Sequence, residues 1–372
     1  MNKTLTLLLA LFCLPLGGCS GLHLFGAKVV TSEVVAEKPS DISAYVSVEK
    51  KKVPVGNLTA DNFRIFENKV PLNEEAIGFE LLPRESVAAG HTVLLLDLSG
   101  APDDAQLRRI SRGAAHFAEK VTTTQPVTVV AFDGSARARE VARFSKVAVE
   151  TKRPLPDLGP FLSGDSSRDL NSAFIAAVQG VTDRLKESQK AATYGTVVTM
   201  TRGPDLAARK SDNKVRGAVT VSGFDFYSVT PEKMKLKILP AIGKTRKFQF
   251  ATIDTLPMKL LDVGVHVRDT WFSHYLLTYC TPSRAGKRKL KIQVKFEDHH
   301  GKKTRGSSRS SFYADGFDGG CVPKTYQQKT PVADSSQPAS ASQSAPTDKQ
   351  EQAPESGEDA QIVAPPDSSK YE

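Results

Sequence analysis

Thr92-Val93-Leu94-Leu95-Leu96-Asp97-Leu98-Ser99-Gly100-Ala101 is the stretch that decides the reading of this 372-residue chain. Residues 92–96 form an apolar run of strand length, which suits a central strand covered on both faces better than a half-exposed strand, whose residues alternate. An aspartate and a serine follow where that strand ends. Working outward, Leu107, Ile110, Ala114, Phe117 and Ala118 share one helical face, and residues 127–132 form a second apolar strand. A helix over 170–185 leads to strands at 196–200 and 226–229. A helix near 234–242, a strand around 248–253 and a helix from 256 to about 267 complete the series. This alternation predicts an α/β fold over residues 89–279, a doubly wound, mostly parallel sheet whose ligands bind at the carboxyl ends of its strands.

The flanks read differently. In residues 41–88, Ile42, Ala44, Val46 and Val48 alternate with polar positions, Phe63-Arg64-Ile65-Phe66 adds apolar bulk, and Glu67-Asn68-Lys69 makes a turn before Val70. Such a short β-rich segment is small for an independent core and is expected to pack on the α/β segment next to it. Residues 280–324 read as a C-terminal β appendage. Residues 325–372 carry eight acids against three lysines, so a tail of −5 leaves +14 on the rest of a chain whose net charge is +9. Rich in Pro, Ser, Ala and Gln and without apolar periodicity, the tail is expected to be disordered.

The landmarks of the central segment carry a resemblance. Leu94-Leu95-Leu96-Asp97-Leu98-Ser99-Gly100, Val129-Val130-Ala131-Phe132-Asp133, Asp169-Leu170-Asn171-Ser172-Ala173-Phe174 and Val197-Val198-Thr199-Met200-Thr201-Arg202-Gly203-Pro204-Asp205 resemble, in order and spacing, those of a von Willebrand factor A domain. Residues 56–68 resemble the β-rich segment that often precedes such domains in bacterial surface proteins. Residues 274–279 and 289–296 resemble the β appendage that comes after them. The resemblance implies an adhesion or scaffold module. In many members an Asp-x-Ser-x-Ser loop, a threonine and a further aspartate hold a divalent cation, and a partner's carboxylate completes its coordination. Here Asp97 and Ser99 remain, but Ala101 replaces the second serine, Arg168 stands at the threonine position and Arg202 at the last aspartate, with Asp169 and Asp205 beside them. Guanidiniums offer no lone pair and repel a cation, so no metal and no cofactor is expected. Two readings of this degenerate site stay open. In one, an arginine pairs with Asp97 in the metal's stead. In the other, Asp97 caps the next helix while both arginines point into water. Ser166 or Ser167 supplies the missing hydroxyl if the second loop is offset by a residue or two.

The N-terminal residues point to export. Lys3 precedes an apolar run of about a dozen residues, too short to span a bilayer of roughly 30 Å. Leu16-Gly17-Gly18-Cys19 resembles the lipobox of bacterial lipoproteins, which implies cleavage of residues 1–18, acylation of Cys19 and a tether over 19–40. Ser20 favours the outer membrane in bacteria that sort by that residue, with the membrane face left open. Cys280 and Cys321 then remain in an oxidising compartment, where one disulfide is the economical reading. A metal site with His299-His300 is the weaker alternative, at a spacing that matches no standard zinc pattern.

A second surface is basic. Lys287 and Arg288 close one turn, Lys289, Lys291 and Lys295 share one face of the next strand, and Lys302 and Lys303 form another turn. Either this is a solvated, edge-protecting face, or it is drawn to an anionic envelope polymer or lipid headgroups. Nucleic acid is not expected outside the cytoplasm. No Gly-x-Ser-x-Gly, His-Glu-x-x-His or phosphate-cradling loop occurs, so no enzyme is expected. The favoured function is a lipid-anchored envelope module that binds unidentified protein partners without metal. A metal-dependent surface adhesin is the runner-up, and an envelope hydrolase would need a cluster that is not visible.

Overall fold

The computed structural model describes residues 26–321, apart from 164, 189, 191, 299 and 300. The leader, Cys19, His299-His300 and the tail lie outside the described residues. In chain order the elements begin with β1 (Ala27–Glu37), β2 (Asp41–Lys50), β3 (Val53–Pro54), β4 (Phe63–Glu67), β5 (Val70–Pro71), β6 (Glu80–Pro83) and one helical turn, α1 (Arg84–Val87). Then come β7 (Ala88–Asp97), α2 (Asp104–Val121), β8 (Val127–Phe132), β9 (Arg139–Phe144), α3 (Leu170–Lys186), β10 (Ala192–Met200), α4 (Asp212–Ser222), β11 (Asp225–Pro231), α5 (Leu239–Ile242), β12 (Arg246–Phe250) and α6 (Leu256–Phe272). The series ends with β13 (His274–Cys280), β14 (Lys287–Glu297) and β15 (Lys303–Tyr313).

The apolar run becomes the middle of β7, which lies inside a six-stranded sheet of order β12-β11-β10-β7-β8-β9. Only β9 runs antiparallel to its neighbour. Because successive strand residues point to opposite faces, Leu94 and Leu96 pack under α2 and α6 while Val93 and Leu95 pack under α3 and α4, all of them buried. That double burial is why the run shows no alternation. The helices α2 and α6 approach closely through Gly113 and Gly264. A Cβ on Gly113 would meet Leu260 at 2.8 Å, and one on Gly264 would meet the Phe117 backbone at 3.1 Å.

The two ends of the chain fold together. One antiparallel sheet has the order β1-β2-β13-β6, with β3 on β2, and a second has the order β15-β14-β4-β5. Their apolar faces share one core that includes Ile42, Val46 and Val48, Phe63 and Ile65, Leu277, and Leu290, Ile292 and Val294. Four sequence expectations therefore need correction. The tether over 19–40 is already a strand from Ala27, paired with β2 from Ala27↔Lys50 to Glu37↔Asp41. As an edge strand with a bulge between Thr31 and Glu33, it lacks a clean alternating pattern. β13, counted with residues 89–279, belongs to the sandwich, because it pairs with β2 and β6. The segments 41–88 and 280–324 are halves of one β-sandwich. The helix near 234–242 shrinks to Leu239–Ile242, since Pro240 is tolerated only in a helix's first turn. The edge strand β9 and helix α4 were not anticipated.

Cys280 and Cys321 form a disulfide with Cα atoms 5.8 Å apart. Beside it, the buried Glu67 accepts hydrogen bonds from Tyr279 Oη (2.9 Å), Thr281 Oγ1 (2.9 Å) and Ser283 Oγ (2.8 Å). This acid links β4 of one sheet to β13 of the other and to the loop after it. Burial, then the charge of Glu67 and its hydrogen bond, push the Tyr279 phenol well above its ordinary value. Replacing Glu67 by Ala strands three hydroxyls, and the expected cost is about 2–4 kcal/mol by denaturant unfolding.

At the junction of sandwich and α/β domain, Arg84 stacks on Tyr194 (3.3 Å to the ring centroid) and on Trp271 (4.5 Å). His274 Nδ1 lies 2.6 Å from Thr270 O, and His266 packs on Tyr227 and Phe248. Burial, aided by Arg84, lowers His274 to about 3. Burial, aided by Arg246 and opposed by Asp269, lowers His266 to about 4. His91, buried and near Arg184 and Arg143, is lowered to about 4. Each imidazole thus binds its proton more readily unfolded, so their stabilisation is complete above about pH 6.5 and is lost as pH falls toward 4. The melting temperature is expected to drop between pH 7 and pH 4, and less steeply in His274→Gln.

Candidate functional site

The carboxyl ends of β7, β8 and β10 face three loops, and the aspartate that ends β7 organises them. Asp97 is fully buried. Its Oδ1 accepts from Ser99 N (2.9 Å) and Ser99 Oγ (2.5 Å). Its Oδ2 accepts from Arg168 Nε (2.6 Å), Arg202 N (2.7 Å) and Thr201 Oγ1 (3.0 Å). Five donors on one carboxylate occupy the lone-pair directions that a cation would use. The capping alternative is overturned, because α2 is capped by Asp103, whose Oδ1 accepts from Gln106 N at 2.8 Å.

Neither arginine points into water. Arg168 has an 11% exposed side chain, and its Nη1 also donates to Pro204 O at 3.1 Å. Gly203 makes room for it, since a Cβ there would fall 2.1 Å from Arg168 Nη1. Arg202 Nη2 donates to Ser99 O, and Nη1 lies 3.5 Å from Gln106 Oε1. Burial lowers the Arg202 guanidinium from its ordinary value, Asp97 opposes that shift, and Arg168 adds to it. Ala101 sits exposed at φ 44° after Gly100 at φ 69°, and it offers no hydroxyl. Ser166 meets the first loop through its backbone, accepting from Gly100 N at 2.9 Å, while Ser167 N turns back to Asp165.

Two further buried aspartates repeat the pattern. Asp133, at the end of β8, accepts from Ser135 N (2.8 Å), Ser163 N (2.9 Å) and Arg139 Nη2. Burial pushes its carboxyl up, but the bonds from Ser135, Ser163 and Arg139 outweigh that and hold it at about 2. Asp169 caps α3 through Ser172 N (3.3 Å) and pairs with Arg209 Nη1 (2.9 Å). Asp205 fastens the third loop, accepting from Asn171 N (3.1 Å) and Ala208 N (2.9 Å). The Leu206 and Ala207 amides both donate to Arg168 O, leaving the Leu206 side chain 60% exposed on the rim.

Sequence reasoning singled out Asp97, Ser99, Ala101, Arg168, Asp169, Arg202 and Asp205, and the fold brings them together. It missed Asp133, Arg139, Thr201 and Arg209. The first had a signal, since Asp133-Gly134-Ser135 repeats the strand-ending Asp-x-Ser of Asp97-Leu98-Ser99. The residues present do not suit a divalent cation, because the one central carboxylate is saturated and two arginines stand where ligands would be.

No protein-family model and no curated protein sequence matches this chain. Among solved structures it is similar to a von Willebrand factor type A protein from Catenulispora acidiphila, at 11% identity over 79% of this chain and 74% of that one, with a TM-score of 0.38. It is also similar to the manganese-loaded TRAP protein of Plasmodium vivax, at 10% identity over 64% of this chain and 98% of that one, TM-score 0.36. Proximal thread matrix protein 1 of the mussel byssus matches at 11% identity over 49% of this chain, TM-score 0.38, and this chain spans 48% of the mussel protein. The strand order, with one antiparallel edge strand beside parallel ones and helices on both faces, makes the central domain a doubly wound α/β domain.

Substituting Arg168 by Ala removes one of the five donors on Asp97 and leaves the charge buried. The expected loss is about 2–4 kcal/mol of stability, measurable by chemical denaturation, with Arg168→Lys recovering part of it.

Proposed function

We propose that this protein is an envelope lipoprotein, held to a membrane through acylated Cys19, whose von Willebrand factor A-like domain binds a protein partner through its loop rim without a metal ion. The observation that carries the reading is the saturation of Asp97 by Ser99, Thr201, Arg202 and Arg168, all from the chain itself. A fixed guanidinium does here what a cation does elsewhere, neutralising the aspartate and bracing the loops. Leu206 is an exposed apolar side chain on a loop strapped to Arg168, and a partner that covers it removes apolar surface from water. No catalytic role is assigned. Cys280 and Cys321 are tied in a disulfide, and His91, His266 and His274 are held in internal contacts with Thr128, with Tyr227 and Phe248, and with the Thr270 carbonyl.

The test is calorimetric titration of Mg²⁺ and Mn²⁺ into the protein, together with photo-crosslinking in cells from a reactive residue at position 206. No saturable heat, with crosslinks to a defined protein that persist under chelation, is the expected result. Stoichiometric binding abolished in Asp97→Ala, or crosslinks lost under chelation, would establish the metal-dependent adhesin instead.

A further inference from the structure

The outer face of the β4–β14–β15 sheet is far more basic than a solvated surface requires. Lys287, Lys289, Lys291 and Lys295 of β14 stand beside Lys303, Arg305 and Arg309 of β15, and Glu297 is the one acid on that face of the two strands. The register sets Lys291 opposite Arg309 and Lys295 opposite Arg305. Like charges facing each other across strands destabilise a sheet, so fold stability does not account for the pattern. Edge protection accounts for the cations of β15 but not for Lys291, which lies in the stretch of β14, residues 290–294, that is paired on both sides. Among the described residues none of these seven cations forms an ion pair, although Lys291 lies 4.9 Å over the Phe66 ring and Lys287 lies 5.8 Å over that of Tyr313.

A second observation fixes where this face sits. Gly26, the first described residue, lines one groove with Gln293, Lys302, Lys303, Arg305 and Ser307. The carbonyl of Ala27 is pressed against Gly306, where an added Cβ would fall 2.2 Å away. Gly306 lies opposite the buried Val294, on the side of β15 turned away from Arg305, so the chain enters the fold at the β15 edge of the sheet, beside the rim of the basic face. From Cys19 to Gly26 is a reach of at most about 25 Å for extended backbone.

We propose that this face is a second membrane-binding determinant, which docks on the anionic phospholipid headgroups of the membrane that holds the lipid on Cys19. The inference rests on the reading of Cys19 as acylated, because the short reach from that residue is what makes the occupant a bilayer rather than a distant polymer. Stable anchoring commonly combines acyl chains with a polybasic patch, and basic side chains within a Debye length of an anionic surface add to the attraction one by one.

The experiment is co-sedimentation of the unacylated chain from Ser20 to Glu372, which keeps every described residue, with vesicles. One set is phosphatidylcholine alone, and the other contains about a third phosphatidylglycerol. Binding to the anionic vesicles only, reversed by high salt, is expected. The variant Lys289→Gln/Lys291→Gln/Arg305→Gln/Arg309→Gln should bind on the order of a thousandfold more weakly while melting at the parent's temperature. Absent binding, equal binding to both vesicle types, or undiminished binding by the variant overturns the proposal. So does binding of polyphosphate in solution without binding of anionic vesicles, which assigns the face to a polymer. Mass spectrometry of the protein extracted from membranes tests the acyl group on Cys19 separately. An unmodified Cys19 beside positive vesicle binding would refute the anchor alone, and an acylated Cys19 beside negative vesicle binding would refute the docking face alone.

Discussion

A carboxylate buried at the end of a central strand has to be neutralised, and Asp97 meets that constraint with donors drawn from three loops. Ser99 belongs to the loop after β7, Arg168 to the segment before α3, and Thr201 and Arg202 to the end of β10. No two of these segments are adjacent in sequence, so the ion and its partners form only when the sheet has its final order. The remaining loop geometry depends on this pairing. Gly203 must lack a side chain so that the guanidinium can lie across it, and the backbone of Arg168 then holds the Leu206 and Ala207 amides. Asp133 with Arg139 and Asp169 with Arg209 extend the same solution along the edge of the sheet.

Internal guanidiniums change what the loop rim can do. A divalent cation exchanges ligands and invites a partner's carboxylate into its coordination sphere. An arginine bound on the protein side has committed its donors and acts as a brace. Under the proposed function, recognition falls to shape and to exposed side chains, and the loop that presents Leu206 is held by the brace. Less ordering remains to be paid for when a partner arrives.

The sandwich gives the molecule its second constraint. Its two sheets are assembled from both ends of the described chain, with β13 set between β2 and β6. The α/β domain is thus an insertion whose entry and exit both pass the Arg84, Tyr194 and Trp271 stack. Glu67 and the Cys280–Cys321 disulfide close the opposite end.

Local pattern determined much of this. A strand buried on both faces reads as an unbroken apolar run, helices show their stripe, and the departures at Ala101, Arg168 and Arg202 are legible because they sit at set distances from strand ends. The alternating lysines of residues 289–295 likewise announced a basic face. Sequence could not separate an arginine paired with Asp97 from one in water, nor see that residues 27–37 are a strand. It could not see that the flanking β segments are one sandwich. Each of those depends on which distant segments become neighbours: the desolvation of a charge, the pairing of an edge strand and the partner of a sheet are set by tertiary contacts, and local periodicity carries no record of them.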